Sequence, residues 1–243
     1  MVKTLLKTLL LFATVGYLIF ALIKVSRPTQ EMVCTGVELQ FVDSDQTTLI
    51  DRSMAERILT KNKIAPKGKT MAEIDMRSIE QILSASPYID TVSCYYTASG
   101  KLCVHMSPRH PLLHIYAQDG DEFYVDAQGH IMPAGGLPTD LPIITGHVTR
   151  QMASTRLLNL GNLLQSDEYW GRQAQQIVID EKGQIEIIPR FSGQRILLGE
   201  PKNLEEKLGR VRLFYEKAMP KVGWNKYSII NATFKDQIIC TKE

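Results

Sequence analysis

The sequence predicts an α+β chain: one N-terminal membrane-spanning helix, a strand-helix-helix-strand-strand module, and a strand-rich β domain with two helices. Three observations predict it. Leu9 to Ile23 form a 15-residue run without a charge. Downstream, the apolar pattern switches repeatedly between period two and helical spacing. Proline, glycine and Asp-rich turns cut that pattern into short segments. At 243 residues and 44% apolar content the chain has room for one large or two modest cores. Its 16 Gly and 11 Pro follow no repeating period, which excludes collagen-like, coiled-coil and solenoid architectures.

Thr4 to Ile23 makes a span of 20 residues if Lys7 is admitted. At 1.5 Å per residue a helix of that length covers about 30 Å, one hydrocarbon core, and a lysine near its end can snorkel. A cleaved signal peptide would need small residues at the −3 and −1 positions after the run, and Phe20-Ala21-Leu22-Ile23-Lys24 offers no A-x-A. The expected layout is residues 1–31 as a short cytoplasmic tail, anchor and linker (Val25–Glu31, containing Pro28), with the bulk of the chain exported. Lys3, Lys7, Lys24 and Arg27 against Glu31 hold the basic excess. Subtracting them from totals of 28 and 26 leaves residues 32–243 with 24 basic and 25 acidic groups. A domain this neutral lacks the footprint that nucleic-acid binding requires.

Residues 32–108 form the first exported domain. Met32–Phe41 reads as a strand, with Val37, Leu39 and Phe41 alternating. Ser53-Met54-Ala55-Glu56 has capping-box form and opens a helix over 53–62. Ile79, Ile82 and Leu83 mark a second helix from Ile74, ended by Ser86-Pro87. Val92, Cys94 and Tyr96 alternate on one strand, and Leu102, Val104 and Met106 on the next, joined by Ala98-Ser99-Gly100. A three-residue loop there sends Cys94 and Cys103 to opposite faces, whereas a four-residue loop would place them opposite each other. The first reading leaves Cys34, Cys94, Cys103 and Cys240 as free thiols.

Residues 109–243 form the second domain, after the punctuation Pro108-Arg109-His110-Pro111. Strands are expected at Leu112–Ala117, Phe123–Asp126 and Ile131–Pro133, with Asp126-Ala127-Gln128-Gly129 as a type I turn. Leu141–Gly146 reads as a short strand placed at an edge by Pro142. A helix over 151–166 and a meander through Ile177–Ile179, Ile185–Ile188 and Ile196–Leu198 follow. Asn203-Leu204-Glu205-Glu206 caps a second helix, and Tyr227–Phe234 and Gln237–Thr241 read as the last two strands.

No constellation for catalysis stands out. Gly68-Lys69-Thr70 ends like a phosphate-binding loop, but Lys63 stands where its first glycine belongs. His105, His110 and His114 invite a metal reading, yet no carboxylate lies near enough in sequence to suggest a third ligand type, so they are expected as exposed strand and loop histidines. Asp43, Asp45 and Asp51 alternate with polar residues before a helix, as solvated loop and capping groups do. An alternative function is a membrane-tethered envelope enzyme or ligand-binding protein using the region from His105 to His114. What remains is binding surface: the final strand often lies at a sheet edge, where unpaired N–H and C=O groups can take up a partner strand.

In order along nearly the whole chain, these features resemble the FtsQ/DivIB family of bacterial cell-division proteins. The matching segments are Ile74-Asp75, Ser86-Pro87-Tyr88-Ile89, Leu102–Pro111 with its R-x-P (Arg109-His110-Pro111), Phe123–Gly129, Leu141–Gly146, and Leu198-Gly199-Glu200 with Glu206-Lys207-Leu208. The chain departs from the family in its very short tail and in Ser107-Pro108 before R-x-P. The resemblance implies a POTRA-like domain next to the inner membrane, a β domain beyond it, no catalytic activity, and no cofactor or small-molecule substrate. It also implies partners: the small bitopic proteins FtsB and FtsL, with FtsK and the septal FtsW/FtsI synthase in the same complex. The family's partner-binding region falls on Phe234, Asp236, Gln237, Ile238 and Ile239.

Overall fold

Apolar alternation and helical spacing produce two separately packed units in the computed structural model, residues 1–43 with 52–107 and residues 44–51 with 108–243. The structure describes residues 2–42, 48–135, 140–190 and 193–242; within the first helix it describes the side chains of Lys7 and of Leu9 to Leu22. Asp43 and Asp45 of the acidic cluster lie outside the described residues.

The first unit begins with α1 (Val2–Glu31). The helix runs on through the segment expected as a linker, because Pro28 falls in its last turn and removes one hydrogen bond there without interrupting a long ladder. Among the described residues no helix is long and apolar enough to cross a membrane. The span expected at Thr4 to Ile23 extends past the described side chains at both ends.

Beyond α1 come β1 (Gly36–Phe41), α2 (Arg52–Lys61), a single 3₁₀ turn (Met71–Glu73), α3 (Met76–Ser84), β2 (Ile89–Tyr96) and β3 (Lys101–Pro108). The three strands lie in the order β1-β3-β2, with β1 parallel to β3 and Leu39 opposite Val104. Buried Ala55 and Leu59 of α2, Ile79 and Leu83 of α3, and Leu102, Val104 and Met106 of β3 supply this unit's apolar interior. The first strand is shorter than expected, because residues 32–35 give their backbone to another loop: Cys34 N–H bonds Lys69 O and Met71 N–H bonds Met32 O. Ser53 lies inside α2, which starts at Arg52, one residue before the expected capping position. The Glu73 carboxylate instead accepts the Thr70 N–H, and the Asp75 carboxylate caps α3 by accepting Ser78 N–H.

The hairpin loop has three residues. Thr97 N–H bonds Lys101 O, Gly100 N–H bonds Thr97 O, and Gly100 sits at φ +78. All four cysteines are free. Burial pushes the half-buried Cys94 thiol up to about 12, helped by the nearby Glu80 carboxylate, which accepts the Cys94 N–H. A thiol held in that form is a poor nucleophile.

The second unit is one nine-stranded sheet. Its strands are β4 (Pro111–Ala117), β5 (Glu122–Asp126), β6 (Ile131–Pro133), β7 (Ile143–Gly146), β8 (Ala174–Ile179), β9 (Ile185–Pro189), β10 (Arg195–Gly199), β11 (Ile229–Asn231) and β12 (Ile239–Thr241). They are ordered β12-β11-β10-β9-β8-β7-β4-β5-β6. Strand β7 is central, parallel to both β4 and β8. Pro142 did not force it to an edge, because the ladder starts one residue later at Ile143. At the far end of β7, Gly146 takes φ +100, and a Cβ there would lie 2.1 Å from the Ile179 carbonyl oxygen.

Among the described residues five helices accompany the sheet where two were expected: α4 (Arg150–Ala153), α5 (Leu158–Ser166), α6 (Glu168–Gln173), α7 (Leu204–Lys217) and α8 (Met219–Val222). The single helix expected over 151–166 is broken. Thr149 caps α4 at Met152 N–H, while the Ser154 and Thr155 hydroxyls both donate to Gln151 O and favour a turn. Asn203 stands before α7 in left-handed conformation without a side-chain capping bond, which Asn tolerates better than most residues. Leu113, Ile115, Ile144, Ile177, Ile187, Ile196 and Ile230 of the strands form one buried cluster with Leu160, Leu164, Trp170, Leu208, Val211 and Tyr215 of the helices.

Asp126 closes the β5–β6 hairpin. Its carboxylate accepts the backbone N–H groups of Gln128 and His130 and lies 3.0 Å from both Arg109 and the His130 ring. Only 2% of the Asp126 side chain and 17% of Arg109 are exposed. Burial alone would raise this carboxyl, but the bonds from the His130 backbone, Arg109 and the His130 ring outweigh it and hold it below the usual range. The folded value is therefore the lower one. The stabilisation is complete above the unfolded value of about 3.9 and is lost as pH falls through the folded value. Replacing Asp126 with Asn removes the carboxylate that the half-buried Arg109 bonds here and is expected to cost about 3 kcal/mol at neutral pH. Urea unfolding at several pH values checks this: the Asn variant should lose the acid-dependent part of the difference.

Candidate functional site

Strand β12 is an edge of the large sheet and, among the described residues, pairs only with β11, as Ile229↔Thr241, Ile230↔Cys240 and Asn231↔Ile239. Ser228 N–H donates to Thr241 O at 2.9 Å, so Thr241 directs its carbonyl inward. Polar groups alternate in direction along a strand, and Cys240 therefore turns its N–H and C=O away from β11. Its side chain goes to the interior: Cys240 and Ile238 pack against the buried cluster, whereas Ile239 is 46% exposed. Burial raises the Cys240 thiol above its ordinary value.

The two expected strands are shorter than predicted, three residues each, and a turn occupies the residues between them. Of the five anticipated contact residues, only Ile239 lies in a strand. Phe234, also 46% exposed, sits in a bend, Asp236 turns the chain at φ +59, and Gln237 and Ile238 lead into β12. The reason is competition for backbone groups. Asn231 Oδ1 accepts Thr233 N–H, and one Arg210 nitrogen donates to the carbonyls of Ala232 and Phe234 at 3.1 and 3.0 Å. Carbonyls held by a guanidinium cannot extend a ladder. The five residues still share one corner of the sheet.

Two cations of α7 build that corner; the sequence offered Lys207 only as part of a matching segment and gave neither of them a role. Lys207 Nζ donates to Leu198 O at 2.7 Å and to Glu200 O at 2.9 Å, fastening the end of β10. Its ammonium is buried, which draws its pKa below the ordinary lysine value. Arg210 lies three residues on, on the same helix face, bonded to Glu206 as well as to the turn carbonyls. A lysine set among Leu204, Leu208 and Val211 was the available signal, since a cation on an apolar stripe needs acceptors. Gly199, at φ +69, completes the corner, because a Cβ there would lie 2.8 Å from the Thr233 side chain. Beside the turn opens a recess of about 240 Å³ lined by Val178, Glu186, Leu197, Asn231, Thr233 and Phe234.

The histidines of the metal reading are separated. His105 is exposed on β3 and His110 is half-buried. His114 is buried, contrary to expectation: it stacks on Tyr124 with centroids 4.0 Å apart and meets Glu122 at 3.0 Å. That carboxylate reaches it across the β4–β5 hairpin, which separation along the chain concealed. The His114 bond, with one from Tyr116, holds Glu122 below its usual range. Among the described residues no group of three His, Cys, Asp or Glu is arranged to hold a metal ion. Gly68-Lys69-Thr70 lies in the loop between α2 and the 3₁₀ turn.

A family model described as FtsQ/DivIB, C-terminal related, matches residues 110–241, more than half of the chain. The chain belongs to the FtsQ/DivIB family. A second model, described as a POTRA-like domain, matches residues 32–107, so the β1-β3-β2 sheet with α2 and α3 is the POTRA-like part and the nine-stranded sheet the FtsQ/DivIB part. No curated protein matches the chain. The family identifies the chain as a cell-division protein.

The clamp yields an expected outcome. Arg210→Met keeps the aliphatic stem and frees the carbonyls of Ala232 and Phe234. Hydrogen exchange at Ile239 to Thr241 should then accelerate about tenfold, a loss of about 1.4 kcal/mol in local stability, while exchange in β8 and β9 stays unchanged.

Proposed function

We propose that the chain is a non-catalytic, single-pass scaffold of the bacterial division complex. Residues 1–31 hold it in the inner membrane at the septum with the N-terminus in the cytoplasm, and the two exported domains make protein contacts. The partners are FtsB and FtsL, with FtsK and the FtsW/FtsI synthase connected through the same assembly. The observation that carries this reading is the β12 edge, whose Cys240 backbone points outward beside exposed Phe234 and Ile239. A partner strand would gain affinity from that backbone and specificity from Phe234, Asp236, Gln237, Ile238 and Ile239 around it. Family membership supports it from an independent direction. The histidines that would carry an enzymatic or ligand-binding role are spread over two units or engaged, His114 with Glu122 and Tyr124.

Two experiments test the reading. Depleting the protein should give filamentous cells, and a fluorescent fusion should collect at midcell; even membrane distribution with normal septation refutes the division role. For the edge, Cys240→Pro removes the outward N–H and Ile239→Lys puts a charge on an exposed position without touching the backbone ladder. Each should weaken pulldown of the FtsB–FtsL pair at least tenfold, on the order of 1.4 kcal/mol, with the thermal unfolding midpoint of Ile239→Lys unchanged. Unaltered capture by both variants would move the interface elsewhere.

A further inference from the structure

Lys61, Lys63, Lys67 and Lys69 fall within nine residues that contain no acid, and all four are exposed. Lys61 ends α2, and Lys63 follows in left-handed conformation at φ +57. The part of this loop carrying Lys67 and Lys69 is fastened to the residues that leave α1. Gly68 N–H bonds Cys34 O, Cys34 N–H bonds Lys69 O, Met71 N–H bonds Met32 O, and Val33 and Thr70 form a β-bridge. The nearest acids by sequence are Glu73, Glu56, which pairs with Arg52, and Asp75. Glu73 is taken up by the Thr70 N–H, with Lys69 adding a smaller attraction, and Asp75 caps α3.

We propose that this lysine loop is a contact surface for anionic phospholipid headgroups at the membrane from which α1 emerges. The inference rests on the reading of residues 1–31 as an anchor. Distances make it work. From Ile23, the last residue of the uncharged run, α1 continues eight residues to Glu31, about 12 Å of rise. The headgroup layer takes up about 5 to 8 Å of that. Cys34, to which Gly68 and Lys69 are bonded, is three residues further, at most about 10 Å of chain. A lysine there, with its long flexible stem, comes within about one Debye length of the lipid phosphates, about 8 Å at physiological salt. Anionic lipid attracts each such lysine by a factor of about five. The backbone bonds fix the loop at that height, so the attraction orients the POTRA-like domain on its anchor as well as adding to its hold.

The test uses the full chain reconstituted in phosphatidylcholine vesicles with and without phosphatidylglycerol. Lysines are acylated by a water-soluble reagent and read site by site by mass spectrometry, with Lys217 and Lys221 as references. Lys67 and Lys69 should react about fivefold more slowly when phosphatidylglycerol is present, and the difference should vanish at about 1 M salt, where the Debye length is about 3 Å. Equal rates in both vesicles, with the chain resisting alkaline extraction, overturn the lipid contact and leave the anchor standing. Extraction of the chain at alkaline pH overturns the anchor and this inference together. Protection that appears only when polyglutamate is added to neutral vesicles overturns it in favour of an acidic peptide partner.

Discussion

The large sheet ends where it does because two cations on α7 hold backbone carbonyls that have no strand to bind. Lys207 takes those of Leu198 and Glu200, where β10 stops, and Arg210 takes those of Ala232 and Phe234, where β11 has stopped. The helix thus serves as the crossover that makes β11 parallel to β10 and as the strut that fixes the turn into β12. Carbonyls bonded to a charged donor are worth more than neutral pairs and would be costly if left unmade. The corner is consequently defined by side chains of a neighbouring element, with only three residues of ladder in each of the two outer strands.

The same substitution of side chain for ladder recurs at the other junctions. Asp126 gathers Gln128, His130 and Arg109 around the β5–β6 turn, which explains in physical terms why an arginine shortly before β4 and an aspartate ending β5 occur together in this chain. Asp180 does the same for β8 and β9, accepting the N–H groups of Lys182 and Gln184. Short strands gain little from their own pairing, and polar side chains that close each turn compensate for it.

Much of this was legible from alternation and turn chemistry. The Ala98–Gly100 loop, the Asp126 turn and the strands β4 to β6 and β8 to β10 all follow from period two and turn chemistry, which are local properties. The misreadings share a cause, competition between side chain and backbone or pairing with a distant segment. Ser154 and Thr155 broke a helix whose leucines predicted continuity, and Arg210 shortened a strand from 22 residues away. Pro142 suggested an edge because pairing partners cannot be read from one segment alone. At the candidate site, the family resemblance pointed to five residues around the last strand, while the clamp from α7 stayed hidden because a helix-borne arginine reads as solvated until its acceptors are known.

In chain order β11 and β12 are the last two strands to arrive, and their place is beside β10. Until they dock, β10 is the exposed border, and it carries Ile196, Leu197 and Leu198 in succession. Before docking, such a border is sticky and would pair with any extended neighbour. Docking the final hairpin replaces it with a short, sparsely bonding border that only a matched strand would find attractive. On the proposed reading of that edge, completion of the fold and readiness for a partner coincide, and an incompletely folded copy offers no matched border.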